Sequence, residues 1–114
     1  NIRNGESPII YGDGTQTRDF TFVDDVVRAN ILALKGKEFG IYNIGTGTET
    51  SFSRIVEIIN QHLGTDIRAT YVDNPIKNYV HKTKADVSLA KSELGYEAKL
   101  SLEDGVAALI KNSC

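Results

Sequence analysis

The sequence lacks most of the residue types on which metal, disulfide and nucleophilic chemistry depends. Its 114 residues include one cysteine, two histidines, no methionine and no tryptophan. One thiol excludes a disulfide framework and a metal site built from several thiolates, and we interpret Cys114 as an exposed terminal thiol. Because even an initiator methionine is absent, we expect the chain to be a fragment of a longer protein.

The two histidines stand in separate polar contexts. His62 lies near the end of an amphipathic stretch, where a surface position is expected, and His81 is followed by Lys82 and Lys84. Neither histidine has a pair of carboxylates around it, so we predict no metal site. No serine stands in a nucleophile-elbow sequence, and we therefore predict no hydrolytic triad.

Charge and hydropathy exclude two classes of partner. Hydrophobic residues make up 40% and charged residues 25% of the chain, and the net charge is −2. This composition predicts one small globular domain, and the interspersed charges leave no basic patch for a nucleic acid. No apolar run approaches the ~18 residues of a membrane span and no signal peptide is present, so we expect a cytoplasmic protein without a membrane partner.

Short apolar stretches and amphipathic stretches alternate along the chain. Apolar or alternating patterns predict strands over residues 8–11, 20–23, 41–45 and 67–71. Amphipathic periodicity predicts helices that begin after the capping residues Asp24, Ser51, Asp86 and Ser101. The first three of these helices are expected to end at Gly36, Gly64 and Gly95. The expected architecture is an α/β fold, a small sheet with covering helices.

Two of the predicted helices carry an apolar stripe that we expect to face the core. In the first helix, Val27, Ile31 and Leu34 recur at steps of four and three residues. In the second helix the stripe is longer and consists of Phe52, Ile55, Val56, Ile59 and Leu63.

Two Gly-x-Gly pairs, at residues 12–14 and 45–47, invite a dinucleotide-binding interpretation. A Rossmann phosphate loop requires a third glycine for close packing of the helix on the strand. Thr17 and Thr50 occupy that position here. We therefore interpret both pairs as turns and predict no cofactor-binding residue in this chain.

Arg18 has an unusual setting for a charged residue. It follows a glycine-rich turn, and Asp19 and Phe20 come directly after it. An arginine in this setting presents a fixed fork of donors that suits a diphosphate. Residue chemistry alone favours a plainer role, a salt bridge to Asp13 or Asp19 that stiffens the turn.

The segment around Arg18 resembles a known enzyme family. Gly-Asp-Gly followed by Gln-x-Arg-Asp-Phe at residues 16–20 is similar to the NAD-dependent nucleotide-sugar epimerases and dehydratases, the extended short-chain dehydrogenases. Tyr-Asn-Ile-Gly at residues 42–45 and the segments 85–91 and 101–105 extend the resemblance over nearly the whole chain. Within the family, the UDP-glucose 4-epimerases look most similar.

The resemblance implies that residues 1–114 form the carboxyl-terminal, substrate-binding lobe of such an enzyme, without the Rossmann lobe. NAD would be bound by the absent lobe, and the whole protein would be a homodimer, because relatives pair through helices of that lobe. The family's catalytic signature is a tyrosine followed four residues later by a lysine. Tyr79 and Tyr96 have lysines only three residues on, so we expect no catalytic residue here and no activity of this chain alone.

The resemblance also implies which residues bind substrate. Arg18 would contact the diphosphate of a nucleotide sugar. Ile9 and Tyr11 lie on the strand whose backbone reads the edge of the base, and they would frame that base. Tyr79, with Lys77, would close the nucleoside side of the site.

One segment departs from the commonest family pattern. Ile-Lys-Asn-Tyr at residues 76–79 stands where many UDP-galactose epimerases have Arg-x-Gly-Asp, and it looks closer to the heptose-epimerase variant. Lys77 is then either a point-charge substitute for the second arginine or a solvated loop lysine. The implied function is UDP-glucose/UDP-galactose interconversion by the whole protein. The alternatives are a dTDP-glucose 4,6-dehydratase, a heptose epimerase and a non-catalytic nucleotide-sugar binding module.

Overall fold

A computed structural model describes residues 1–36 and 39–112, so Cys114 lies outside the described residues. A 3-10 turn at Ile2–Asn4 precedes strand β1 (Ile9–Tyr11) and strand β2 (Thr17–Arg18). Helix α1 (Val23–Lys35) leads to strand β3 (Thr50–Ser51) and helix α2 (Phe52–Leu63). Strand β4 (Thr70–Val72), helix α3 (Ser88–Leu94) and helix α4 (Leu102–Asn112) complete the order. No helix in the described ranges is long and apolar enough to cross a membrane.

The strands form two small sheets rather than one. β1 pairs in parallel with β4, with Ile9 opposite Thr70 and Tyr11 opposite Val72. β2 pairs antiparallel with β3, with Arg18 opposite Thr50. The α/β class is confirmed, and each sheet joins segments that are far apart in the sequence.

The predicted caps of α2 and α4 are confirmed. The Ser51 hydroxyl accepts a hydrogen bond from the Arg54 backbone N–H at 3.2 Å, and α2 ends at Gly64 with φ of 66°. The Ser101 hydroxyl likewise accepts from the Asp104 N–H at 3.1 Å. Each cap satisfies a backbone donor that the first helical turn leaves open.

The predicted strand over residues 20–23 is wrong. α1 begins at Val23 after Phe22, so Asp24 lies with Asp25 in its first turn and does not cap the helix. The strand lies earlier, at Thr17–Arg18, where a partner strand is available in β3. Acidic residues remain favourable inside a first turn, because the helix dipole is positive there.

The apolar face predicted for α1 does not face the described core. Val27, Ile31 and Leu34 are exposed, Leu34 by 86%, whereas Ala29 is buried against Ala90. Residues 41–45 form no strand with any described segment, and the Ile41 side chain is 93% exposed. A strand requires a hydrogen-bonding partner strand, and no described segment forms one with residues 41–45. No described element covers the apolar face of α1 either.

Tyr96 and Asp25 hold the carboxyl-terminal segment against α1. The Tyr96 ring is fully buried with Ala29 and Ala90, and its hydroxyl donates to the Gly45 carbonyl at 2.9 Å. The buried Asp25 carboxylate pairs with Arg28 at 2.8 Å and accepts from the Lys99 N–H at 3.1 Å. Burial alone would raise the pKa of Asp25, but the backbone donors and Arg28 outweigh it and lower the pKa.

Candidate functional site

The Arg18 side chain is anchored by backbone carbonyl groups. Its Nη1 donates to the Thr17 carbonyl at 2.7 Å, and its Nη2 donates to the Val80 carbonyl at 2.7 Å. A longer bond of 3.4 Å joins Nη1 to the His81 carbonyl. Among the described residues no carboxylate forms a salt bridge with Arg18, so the salt bridge favoured by residue chemistry alone is absent there.

Two aromatic rings flank the Arg18 guanidinium. Its central carbon lies 5.1 Å from the centroid of the Tyr79 ring and 5.8 Å from that of Phe52. A guanidinium has five N–H donors, and the carbonyl bonds to described residues use three of them. Arg18 therefore presents a fixed positive charge with two donors still available, the arrangement that binds a phosphate oxygen pair well.

Asp19 fixes the end of β2 directly after Arg18. Its carboxylate accepts from the Thr46 N–H at 2.9 Å, from the Thr46 hydroxyl at 2.6 Å and from the Gly47 N–H at 2.9 Å. Burial would raise the pKa of Asp19, but these donors lower it below its ordinary value. The carboxylate is therefore ionised near neutrality and cross-links β2 to the loop at residues 45–47.

An open cavity of about 710 Å³ lies beside this anchor and is bounded by β1, β4 and the loop that follows β4. Its lining brings together two of the residues implied by sequence, Tyr11 and Tyr79. The lining also includes residues to which the resemblance assigned no role, among them Tyr71, Asp73, Asn74 and His81. Ile9, Arg18 and Lys77 are outside the lining, and Arg18 reaches the cavity through its contact with Tyr79.

The outer edge of β1 offers unpaired backbone groups. Pro8 accepts from the Thr70 N–H and Gly12 donates to the Val72 carbonyl, both at 2.8 Å. Backbone groups alternate in direction along a strand, so those of Ile9 and Tyr11 point away from β4. The Tyr11 carbonyl accepts from the buried Gln16 amide at 2.6 Å. The edge thus presents, in order, a donor and an acceptor from Ile9 and a donor from Tyr11.

Polar contacts also order the rim of the cavity. The Asp13 carboxylate accepts from the Thr15 N–H and hydroxyl at 2.9 and 2.6 Å, and these bonds lower the pKa of Asp13. The same hydroxyl lies 3.3 Å from the His81 ring. The contact between His81 and Thr15 spans a sequence separation of 66 residues. No local sequence signal could have revealed that contact.

Neither Tyr–Lys pair has the geometry of a proton-transfer pair. Lys82 forms an ion pair with Glu49 at 2.6 Å, and the Tyr79 ring packs against Arg18. Tyr96 is buried, and that burial raises its pKa. A raised pKa is the opposite of what a tyrosine base requires.

The chain is similar to known proteins over most of its length. The sequence model of the GDP-mannose 4,6 dehydratase family matches residues 1–109. The chain is 42% identical over 103 residues to a UDP-glucuronate 4-epimerase of Thermodesulfobacterium geofontis. That match covers 89% of this chain and 32% of the relative.

Two solved structures are similar over nearly the whole chain. UDP-glucose 4-epimerase of Thermotoga maritima with UDP-glucose matches with a TM-score of 0.89 and 38% identity, over 96% of this chain and 35% of that one. UDP-glucuronic acid 4-epimerase of Bacillus cereus with UDP-glucuronic acid and NAD matches with a TM-score of 0.87 and 33% identity, over 94% and 35%. The chain thus spans about a third of the length of these relatives.

Proposed function

Because the chain belongs to the GDP-mannose 4,6 dehydratase family, we propose that it holds the nucleoside diphosphate of a nucleotide sugar in an NAD-dependent 4-epimerase. The proposed reaction of the whole protein is the interconversion of UDP-glucose and UDP-galactose. The observation that carries this proposal is the Arg18 guanidinium, which is anchored by carbonyl groups and flanked by Tyr79 and Phe52 at the margin of an open cavity.

Arg18 binds the diphosphate in this proposal. Its two remaining donors form charge-assisted hydrogen bonds to phosphate oxygens, which are about twice as strong as neutral ones. The bonds to the Thr17 and Val80 carbonyls already hold the side chain in place. Little side-chain freedom is then lost on binding, which favours affinity.

The β1 edge selects the base. Uracil presents an acceptor, a donor and an acceptor along one edge, and this order complements the donor, acceptor and donor of Ile9 and Tyr11. Thymine has the same edge, whereas adenine has only one donor beside one acceptor, so it can pair with the Ile9 carbonyl and one N–H but leaves the other N–H without a partner. An unpaired polar group at a buried contact is penalised strongly, so the proposal favours UDP and dTDP sugars over ADP sugars.

Tyr11 and Tyr79, which both line the cavity, frame the base and ribose. Lys77 is exposed on the loop after β4, where it supplies a mobile second positive charge toward the diphosphate. A lysine there contributes a point charge without the fork of an arginine. Arg18 therefore carries most of the diphosphate recognition.

The cofactor belongs to the rest of the whole protein in this proposal. The residues described here do not suit NAD, because the Thr46 and Gly47 N–H groups at the second Gly-x-Gly pair already bind Asp19. The proposed lobe that holds NAD covers the exposed apolar surface around Leu34, Phe39 and Ile41, which includes the segment that lacks a partner strand. It also supplies the tyrosine and lysine for proton transfer, and the isolated chain is inactive.

The proposal is tested by titrating the whole protein with UDP, dTDP and ADP in a calorimeter. We expect UDP and dTDP to bind with similar affinity and ADP to bind much more weakly. Arg18→Ala should weaken UDP binding by about 2–3 kcal/mol, as for loss of a charge-assisted pair. Arg68→Ala, which removes an exposed arginine away from the cavity lining, is the matched control. Equal affinity of the Arg18 variant for UDP would refute the assignment.

Activity on a panel of UDP-, dTDP- and ADP-sugars separates the remaining alternatives. Epimerisation of UDP-glucose supports the proposed reaction, and water loss from dTDP-glucose identifies a 4,6-dehydratase instead. UDP binding without turnover of any sugar identifies a non-catalytic binding module.

A further inference from the structure

Asn78 has a backbone conformation that side chains rarely adopt. Its φ is 55°, and it is the one non-glycine residue with positive φ in the described ranges. Elsewhere in those ranges the left-handed conformation is occupied by glycine, as at Gly12 and Gly64. Asparagine tolerates this region better than alanine or β-branched residues, because its short polar side chain is compatible with it.

The residues directly after Asn78 are those that contact Arg18. The Tyr79 ring lies 5.1 Å from the guanidinium carbon, and the Val80 carbonyl accepts from Nη2 at 2.7 Å. The chain reverses at Asn78, so the ring and the carbonyl reach the guanidinium from consecutive residues. An extended residue at position 78 would direct the ring and the carbonyl elsewhere.

The loop around Asn78 is held at its far end by β2, where the Thr17 N–H donates to the His81 carbonyl at 3.0 Å. Ile76 and Val80 are each 58% exposed, so apolar packing does not hold the loop in place. A single side-chain bond, from the Ile76 N–H to the Asn74 carboxamide at 3.0 Å, orders its beginning. Between Asn74 and the anchored His81, the left-handed turn at Asn78 therefore determines how the chain presents the Tyr79 ring to Arg18.

We propose that Asn78 is a positioning residue for the diphosphate site: its left-handed backbone places the Tyr79 ring over the Arg18 guanidinium and so fixes the direction of the two donors that Arg18 keeps available. This inference rests on the proposed function for the identity of the ligand, UDP, but the geometry of the stack is independent of it. Strained backbone that is retained next to a binding residue is commonly part of the binding mechanism.

A series of substitutions at position 78 separates backbone conformation from side-chain chemistry. Asn78→Gly keeps the left-handed conformation accessible, and UDP should bind with an affinity within about twofold of the unaltered protein. Asn78→Val disfavours that conformation and should weaken UDP binding about fivefold to tenfold, the loss of one cation–π contact. Asn78→Ala is a milder change, and its affinity for UDP should lie between those of the glycine and valine variants. It replaces the valine variant in the experiment if that variant does not fold.

A double-mutant cycle tests whether Asn78 acts through Tyr79. Tyr79→Leu removes the stacking ring and should weaken UDP binding as much as Asn78→Val does. The Asn78→Val substitution should then add no further loss in the Tyr79→Leu background. Independent, additive losses in calorimetry would overturn the positioning role.

A ligand-free readout keeps the failure of this inference distinct from the failure of the proposed function. In the full chain labelled with ¹⁵N-arginine, the Arg18 side-chain Nε–H resonance should show an upfield ring-current shift. That shift should persist in Asn78→Gly and decrease in Asn78→Val to the contribution of Phe52, whose ring centroid also lies 5.8 Å from the guanidinium carbon. If the shift follows this order but UDP does not bind the unaltered protein, the proposed function fails alone. If UDP binds and the valine variant retains both the shift and full affinity, the positioning role is wrong.

Discussion

The Arg18 guanidinium and the Tyr79 ring lie 5.1 Å apart, although 60 residues separate them in the chain. The pair joins β2 to the loop after β4, and that loop also supplies the Val80 carbonyl that anchors the arginine. The proposed diphosphate site is therefore assembled from two segments that meet only in the folded chain. This relationship leads to the first prediction.

Arg18→Lys should weaken UDP binding although it preserves the positive charge. A lysine keeps the charge but loses the planar fork and the simultaneous bonds to the Thr17 and Val80 carbonyls. We expect a loss of about 1.5–3 kcal/mol of binding free energy, close to the loss in Arg18→Ala. Calorimetric titration with UDP measures it, with Arg68→Lys as the matched control. An affinity equal to that of the unaltered protein would show that charge alone suffices.

Gln16→Met should destabilise the fold and disturb base selection together. The Gln16 side chain is almost fully buried, and its amide donates to the Tyr11 carbonyl at 2.6 Å. Methionine fills a similar volume but leaves that carbonyl without its donor, which we expect to lower the free energy of unfolding by about 1–3 kcal/mol. Denaturant unfolding tests this, and Gln61→Met, at an exposed position, should change stability little.

Base selection in the Gln16→Met variant provides a separate check. The carbonyl of Tyr11 then becomes available at the β1 edge, so discrimination between UDP and ADP should narrow. If the variant is less stable but its relative affinity for UDP and ADP is unchanged, Gln16 has a structural role only.

Tyr96→Phe isolates one buried hydrogen bond. The Tyr96 hydroxyl donates to the Gly45 carbonyl at 2.9 Å inside the core formed with Ala29 and Ala90. Phenylalanine preserves the packing and removes only the donor, so the free energy of unfolding should fall by about 1–2 kcal/mol. Tyr11→Phe, where the ring is half exposed, is the control and should be neutral for stability. Equal free energies of unfolding of the two variants would show that the hydrogen bond from Tyr96 to Gly45 does not stabilise the fold.

Acid should destabilise the fold through Asp19 and Asp25. Folding lowers the pKa of both carboxyls below the ordinary value of 3.8, so the folded chain binds protons less readily than the unfolded chain. The stability that these groups contribute is therefore present above pH ~4 and is lost as the pH falls through their folded pKa values. Unfolding free energies measured between pH 7 and pH 3 should decline toward the acid end.

Asp25→Asn is the variant for this pH series. It should be less stable near neutrality, because the ionised carboxylate accepts from the Lys99 and Leu100 N–H groups and pairs with Arg28. Its stability should also depend less steeply on pH, since one titrating group is gone. A decline as steep as that of the unaltered chain would assign the acid effect to other carboxyls.

Elements specified by local interactions could be predicted from the sequence. The caps at Ser51 and Ser101 each use a donor three residues away, so the sequence contains both partners of the bond. The strand expected at residues 20–23 was wrong, because the position of β2 depends on pairing with β3, more than thirty residues later. The expected strand over residues 41–45 and the expected inward orientation of Leu34 were wrong for a related reason: both depend on contacts with distant segments, and no described segment pairs with residues 41–45 as a strand.

The candidate site divides in the same way. Arg18, Tyr11 and Tyr79 were implied by a family resemblance and are brought together around the cavity, directly or through Tyr79. The anchoring of Arg18 by the Val80 carbonyl could not be foreseen, because it spans 62 residues and involves a main-chain group that no residue type encodes. The choice of Arg18 as a candidate could be made from the sequence, whereas the hydrogen bond that holds its side chain in place could not be predicted.

The pairing of β1 with β4 has a consequence for how the chain folds. Ile9 and Thr70 must meet before the base-reading edge exists, and closing a loop of that length carries an entropic penalty that slows folding. Nothing in the first seventy residues can present the complete cavity during synthesis. In the proposed function, nucleotide binding is then a late event, and a bound nucleotide would report that the whole chain has folded and would stabilise only that state.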